Sequence, residues 1–411
     1  MEKLNAGQKA LQINLDAKRY GTFAEIGAGQ EVARWFFHVG KASGTVAKTI
    51  SAYDMAVSDA IYGTAERYVS RKRLQAMLDL EYDLLLKRLD PVRGERSAFF
   101  AYADTVATKP ISRPGEEGGQ GWLGIKFQAA PRSEPSTIII HVRLLDWDTP
   151  RQQEVVGLIG VNLIHGAFYQ HAEPAQLIGS LLDGLTSQRV EVDMIKFSGP
   201  AFTGVDNRLM ALQLVEQWLT EAAMFTADGE TVIPGELLYK KPVLLERGSF
   251  RPLTNPMLDM LERAREKFVA EPALQGETPV VIFEMTLRQL QVGDAIDHRD
   301  FLDRVDTLSA LGKPVLISNF LRYHRLVSYL ARQTQKPIGL PIGLVRLRDV
   351  FDEKFYTDLP GGLMESLGQL FKNGAKLYVY PSLDKKTGKL FNVGNLDIVP
   401  HLRHLYAHLV E

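Results

Sequence analysis

From Thr137 onward the chain alternates short apolar runs with amphipathic stretches, and this alternation constrains the fold more than any other feature. Strand-like runs fall at 137–145, 190–197, 242–246, 280–285, 314–318, 337–342 and 376–380. Helical spacing fills the gaps near 174–185, 207–223, 257–269, 300–311, 320–332 and 362–372. It is clearest in Met257, Leu261, Ala264 and Phe268, and in Phe320, Tyr323, Val327 and Leu330, which recur at three- and four-residue steps and so share one helix face. Repeated strand–helix–strand units build a parallel sheet with helices on its faces. The expected fold is therefore α/β, with a mainly parallel sheet and helical cover over residues 134–411.

Residues 1–133 read differently. Strand-like runs at 22–26 and 45–50 flank a helical stretch from Glu31 to Val39, and three more strands are expected at 98–107, 122–128 and 137–145. A long helix is expected from Met55 to Leu89, ended by Asp90-Pro91, because proline cannot continue a helical ladder. Ala-Pro-Arg-Ser-Glu-Pro at 130–135 cannot hold a regular element, so a boundary is expected there, closing an N-terminal α+β region. Leu74, Met77, Leu78 and Leu85 give the long helix an apolar face, and charges of both signs line its other faces. Such a helix suits a partner surface, which makes a homo-oligomer the expected assembly.

Composition limits the partners. Of the 411 residues, 48 are Lys or Arg and 49 Asp or Glu, so a formal charge of −1 offers no field to gather phosphate backbones or anionic lipids. Neither nucleic acid nor membrane is an expected partner. The chain has no cysteine, which excludes disulfides, thiolate nucleophiles and cysteine-bound metals. It shows no leader-like or membrane-length apolar run, so a cytoplasmic location is expected. No residue pattern identifies a cofactor.

Several short patterns bear on chemistry. Glu25-Ile26-Gly27-Ala28-Gly29 follows a strand and precedes a helix, as in nucleotide-binding folds, but Glu31 stands where a third glycine would admit a pyrophosphate. Asp146-Trp147-Asp148-Thr149 ends an apolar strand and superficially resembles the Asp-x-Asp-x-Thr of haloacid-dehalogenase-type phosphatases, but Pro150 replaces the flexible region there and two solvated strand-end acids are the favoured account. His404 and His408 are spaced as metal ligands can be, yet Leu402, Leu405 and Leu409 already define a packing face there, and no metal is expected.

The run Val243-Leu244-Leu245-Glu246-Arg247-Gly248-Ser249-Phe250-Arg251-Pro252-Leu253-Thr254-Asn255-Pro256-Met257 carries a family resemblance. It is similar to the nicotinate/nicotinamide mononucleotide adenylyltransferases, whose motif is a strand, then Gly-(Ser/Thr)-Phe-x-Pro, then His-x-Gly-His opening a helix. Gly248, Ser249, Phe250 and Pro252 match in order, while Thr254 and Met257 replace the two histidines and Pro256 the glycine. Neither replacement can supply an imidazole's charge or donor to a transferring phosphate. The resemblance implies a similar strand-to-helix turn with phosphate affinity and no adenylyl transfer.

The whole chain resembles a bacterial protein family whose members are variously labelled as that adenylyltransferase or as a TonB-dependent receptor. Strand–helix alternation does not suit the receptor's barrel.

Polar residues cluster beyond strand ends, where parallel sheets place their ligand crevice. The expected ligand-binding set is Lys196, Arg247, Gly248, Ser249, Arg251, Thr254, Asn255, Glu284, Ser318 and Asn319, facing an anionic, phosphorylated or nucleotide-like small molecule. Catalytic residues are not identified. A structural, self-associating protein without turnover is the alternative.

Overall fold

A computed structural model of the chain describes residues 3–27, 30–112, 117–293, 295–383 and 388–410, which form two compact units, Met1–Glu221 and Ala222–Glu411. Ala28 and Gly29 of the glycine motif lie outside the described residues, as do 113–116 and 384–387.

The first unit opens with α1 (Ala6–Leu15), β1 (Arg19–Ile26), α2 (Glu31–His38), β2 (Val46–Ile50), α3 (Met55–Tyr62) and α4 (Arg71–Arg93). It continues with β3 (Ala98–Ala107), β4 (Gly119–Phe127), β5 (Ser136–Leu144), α5 (Thr149–Tyr169), α6 (Pro174–Ser180), β6 (Val190–Ser198) and α7 (Asn207–Glu216). The sheet order is β2-β1-β3-β4-β5-β6. β1 runs parallel to β2 and β3, whereas β3 to β6 pair antiparallel. One face is packed by α1, α2, α5 and α6 around Phe23, Phe36, Tyr102, Ile159 and Leu177. The other is covered by α4, which packs on β1, β3 and β4.

Three expectations are corrected here. Residues 130–135 are the turn between two adjacent antiparallel strands, β4 and β5, so no unit ends there. The helix expected from Met55 to Leu89 is two helices separated by Gly63–Ser70, with Ser70 accepting from the Arg73 amide to start the second. Pro91 sits in its last turn without stopping it. The apolar face proposed for self-association is buried inside its own unit: Leu74, Met77 and Leu78 have no exposed surface.

Sequence periodicity missed α5. Its residues from Val155 to Phe168 are buried on nearly every side except at Leu158, so no polar stripe marks the helix. Gly160 has a packing role there, since a Cβ would meet Val32 Cγ2 at 2.3 Å and the Tyr102 hydroxyl at 2.7 Å.

The second unit begins with β7 (Ala222–Phe225), β8 (Thr231–Val232), α8 (Pro234–Leu238), β9 (Val243–Arg247), α9 (Asn255–Val269), β10 (Val280–Thr286) and the short α10 (Leu287–Leu290). A small ribbon, β11 (Gln291–Val292) with β12 (Ala295–Ile296), leads to α11 (His298–Ser309), β13 (Val315–Ser318), α12 (Tyr323–Gln333), β14 (Ile338–Gly343) and α13 (Leu344–Val350). The unit ends with α14 (Gly362–Leu370), β15 (Lys376–Tyr380), the ribbon β16 (Ser382–Leu383) and β17 (Leu390–Phe391), and α15 (Arg403–Val410).

Its sheet order is β15-β14-β9-β10-β13-β7-β8, parallel from β15 to β13 and antiparallel beyond. This is the mainly parallel sheet with helical cover that the alternation predicts. The chain walks outward from β9 through β10 to β13, then returns to the other side of β9 for β14 and β15. Neighbouring strands whose connections leave in opposite directions open a crevice at their carboxyl ends. Ala222 and Ala223, which read as the end of a helix, instead pair with Ser318 and Ile317; pairing to a sheet overrides alanine's helix preference.

Candidate functional site

The carboxyl ends of β9, β10, β13 and β14 surround a cavity of about 390 Å³. Each strand, or the segment after it, contributes to the wall: Arg247 ends β9, Thr286 and Arg288 follow β10, Arg322 and Tyr323 start α12 after β13, and Arg346 lies on α13 after β14. Phe355 and Tyr356 complete it.

Register on the sheet sets the floor. Glu284 on β10 lies beside Arg247 on β9, and Ser318 ends β13 on the other side. The Arg247 guanidinium donates through Nη2 to Glu284 Oε1 at 2.7 Å and through Nε to Oε2 at 2.5 Å. Ser318 donates to Glu284 Oε1, and Ser318 Oγ accepts from the Phe320 amide at 3.3 Å. Arg247 also lies 4.7 Å from the centre of the Tyr323 ring. Burial raises the Tyr323 phenol above its ordinary range, so it stays protonated at neutral pH. Glu284 and Ser318 have no exposed surface, so this network is a neutralised, rigid base for whatever lies above it.

The rim carries more positive than negative charge, with Asp349 in its wall and Asp352 near enough to feel the Arg322 charge. Arg346 pairs with Asp349 at 3.1 Å. Arg288 and Arg322 have no carboxylate partner among the described residues, and Arg322 instead stacks over Phe355 at 4.0 Å. Arg322 is also the N-cap position of α12, where no side chain caps the helix. The uncapped start of α12 and the positive end of the helix dipole add to the two arginines. The cavity is therefore built to receive negative charge beside aromatic surface.

A second polar cluster sits at the corresponding position of the first unit's sheet. Glu25 on β1 and Asp104 on β3 are register partners on parallel strands about 4.8 Å apart. Both are fully buried. Glu25 accepts from the Val32 amide at 2.8 Å and the Ala33 amide at 3.2 Å in the first turn of α2, and Tyr102 donates to Asp104 Oδ2 at 3.0 Å. Asp104 Oδ1 has no partner among the described residues. Burial raises Glu25 to about 7, opposed by those two amides, and burial together with the Glu25 charge holds Asp104 well above the usual carboxylate range. Two buried carboxyls so close disfavour the doubly charged state, and Asp104 is the one held in its protonated form.

The sequence-predicted residues divide accordingly. Arg247, Glu284 and Ser318 meet. Asn319, half buried, follows Ser318 but does not line the cavity. Gly248 turns away from β9, its amide donating to the Glu284 carbonyl, and a Cβ there would lie 2.7 Å from Met257 Cε. The Ser249 carbonyl accepts from Arg304 at 3.0 Å. Arg251 pairs with Asp300 at 3.2 Å on α11 and does not join Arg247, so the anion site expected between those two arginines is not formed. Thr254 and Asn255 start α9, and Thr254 makes no side-chain cap. Lys196 belongs to β6 of the first unit. Asp146 pairs with Arg189 at 2.8 Å and Asp148 caps α5, which gives both acids of the phosphatase-like pattern structural work.

Arg322, Tyr323 and Arg346 were missed. Each follows a predicted parallel strand, so the strand-end rule would have found them had it been applied to the segments after 318 and 343. Glu246 points to the opposite face of β9 from Arg247. Neither of its carboxylate oxygens has a partner among the described residues, and burial raises it to about 8. No cluster of three metal-ligating side chains, and no helix long and apolar enough to cross a membrane, occurs among the described residues.

No family model matches the chain, and no curated protein does. Solved structures with partial likeness include the competence/damage inducible protein CihA from Agrobacterium tumefaciens, 16% identical, covering 40% of this chain and 96% of that one with a TM-score of 0.29. A CinA superfamily protein from Enterobacter cloacae is 13% identical, covering 41% and 94% with a TM-score of 0.30. A competence or damage-inducible protein from Enterobacter asburiae is 15% identical, covering 40% and 99% with a TM-score of 0.31. These three carry neither label attached to the family the sequence resembles. Likeness at this level leaves the site to be read from its own geometry.

Proposed function

We propose that the second unit binds an anionic small molecule, phosphorylated or nucleotide-like, in the crevice at the carboxyl ends of β9, β10, β13 and β14. The observation that carries this reading is the pair Arg288 and Arg322, which stand on the rim of a 390 Å³ cavity without carboxylate partners among the described residues. Arg247, already neutralised by Glu284, positions the floor rather than supplying the attracting charge. Tyr323 and Phe355 offer faces on which a planar group can stack.

The reading does not include adenylyl transfer. Thr254 and Met257 occupy the positions of the motif histidines, and Met257 is packed against the Gly248 turn. Incubation with ATP and either pyridine mononucleotide should release no pyrophosphate above a heat-killed control. Calorimetric titration with pyrophosphate and with nucleoside phosphates tests the binding itself. Loss or at least tenfold weakening of one saturable site in Arg288→Ala/Arg322→Ala supports the proposal, and a titration unchanged in site number and affinity refutes it. Self-association is not advanced, because the apolar face that suggested it is used within the first unit.

A further inference from the structure

We infer that the ligand of the second unit's crevice is a phosphate monoester that also carries hydroxyl groups, and that Asp349 is the residue that recognises those hydroxyls. This rests on the anion reading proposed above and narrows it. Among the described residues Asp349 is the one acid in the wall of the 390 Å³ cavity, which four arginines also line. An acid there works against a ligand that is anionic throughout, such as pyrophosphate, because like charges repel. Nor does its own helix favour it: Asp349 lies in the last turn of α13, where a negative charge opposes the dipole.

The surroundings of Asp349 show what it can do instead. Its Oδ2 accepts from Arg346 Nη1 at 3.1 Å, and Oδ1 has no partner among the described residues. The Arg346 side chain is 64% exposed and that of Asp349 40%, so the pair is weak and leaves the carboxylate open to the cavity. Burial raises the Tyr323 and Tyr356 phenols, and the Asp349 charge adds to the rise at both, so the carboxylate stands close to two rings of the cavity wall. A carboxylate only accepts hydrogen bonds, and a hydroxyl is a neutral donor that meets it without adding charge. An ammonium group would meet it too, but four arginines in the same wall repel a cation. With phosphate on Arg288 and Arg322 and hydroxyls on Asp349, charge-assisted bonds hold both ends of one molecule. A cavity of 390 Å³ lies at the lower end of the roughly 300–1,000 Å³ of ligand pockets, which suits a single sugar phosphate or nucleoside monophosphate.

Calorimetry on the full chain compares ribose 5-phosphate with methyl phosphate, which share the phosphate and differ in the hydroxyls. The unsubstituted chain should bind the sugar phosphate at least about tenfold tighter, the size of one charge-assisted hydrogen bond. In Asp349→Ala that preference should fall at least about fivefold, while methyl phosphate, which also reports an intact site, binds as well or slightly better. A smaller preference in the unsubstituted chain overturns the inference, and so does one that survives Asp349→Ala. Loss of both ligands in the variant overturns it as well, because Asp349 would then hold the wall and not the ligand. Pyrophosphate separates this failure from failure of the underlying reading. If pyrophosphate binds through Arg288 and Arg322 and the sugar phosphate is not preferred, only the hydroxyl recognition falls, whereas no saturable binding of any of the three ends both. AMP identifies the source of the hydroxyls: tighter binding than ribose 5-phosphate assigns the ribose of a nucleotide, and the reverse assigns a free sugar phosphate.

Discussion

Each sheet has a strand with parallel neighbours on both sides, β1 in the first and β9 in the second, and a buried carboxylate lies on it or on the strand beside it, yet the two sites are built to opposite ends. In the first unit Glu25 and Asp104 face each other with only amides and a phenol to stabilise them. In the second, Glu284 meets a guanidinium in register and hands its neutrality to a cavity rimmed by further arginines. Paired strands can bring together two carboxyls that close a core or an ion pair that supports an open site. The neighbouring strand's residue decides which.

The strongest way to break the comparison is Glu284→Ala. It leaves Arg247, whose side chain is 8% exposed, buried without its partner, and removing one member of a buried pair costs about 3 to 5 kcal/mol. Urea unfolding should show that loss; a change under about 1 kcal/mol would mean that Arg247 finds water and the floor is not rigid.

Next comes pH. An acid that holds its proton more tightly in the fold adds stability that is complete below its unfolded pKa and lost as pH rises through its folded value. For Glu25 the window runs from about 4.3, the ordinary glutamate value, to about 7. Glu246 acts in the same direction up to about 8, so the whole chain should lose stability across this range. Asp104→Asn removes a second buried acid whose proton is held in the same direction, and the loss should become shallower. An unchanged slope in the variant would place the titration elsewhere.

The smallest effects separate neighbouring arginines. Arg322→Ala should weaken pyrophosphate binding about tenfold, the loss of roughly 1.4 kcal/mol of a charge-assisted contact. Arg251→Ala should leave binding unchanged and cost at most about 0.5 kcal/mol, since its pair with Asp300 is half exposed. Reversal of these two results would restore the site that the sequence motif suggests.

The sequence alone determined the elements whose pattern is local. Alternation predicted β9, β10, β13, β14 and β15 within a residue or two, because buried parallel strands are short apolar runs and their covering helices must show one apolar face. It could not show α5, which is buried on nearly all sides, or β7, where two alanines are strand only because β13 offers an edge. The unit boundary was misplaced for a related reason. A turn between neighbouring strands and a linker between units have the same polar, proline-rich composition, and only the pairing of β4 with β5 tells them apart. Strand-end polarity named Arg247, Glu284 and Ser318 correctly as a group, while motif spacing joined Arg247 to Arg251, which the fold separates. Arg247 and Glu284 are 37 positions apart and meet because β9 and β10 are adjacent in one register. Strand order and register are set by the whole sheet, so no local pattern could decide which charges would neutralise each other and which would remain to face a ligand.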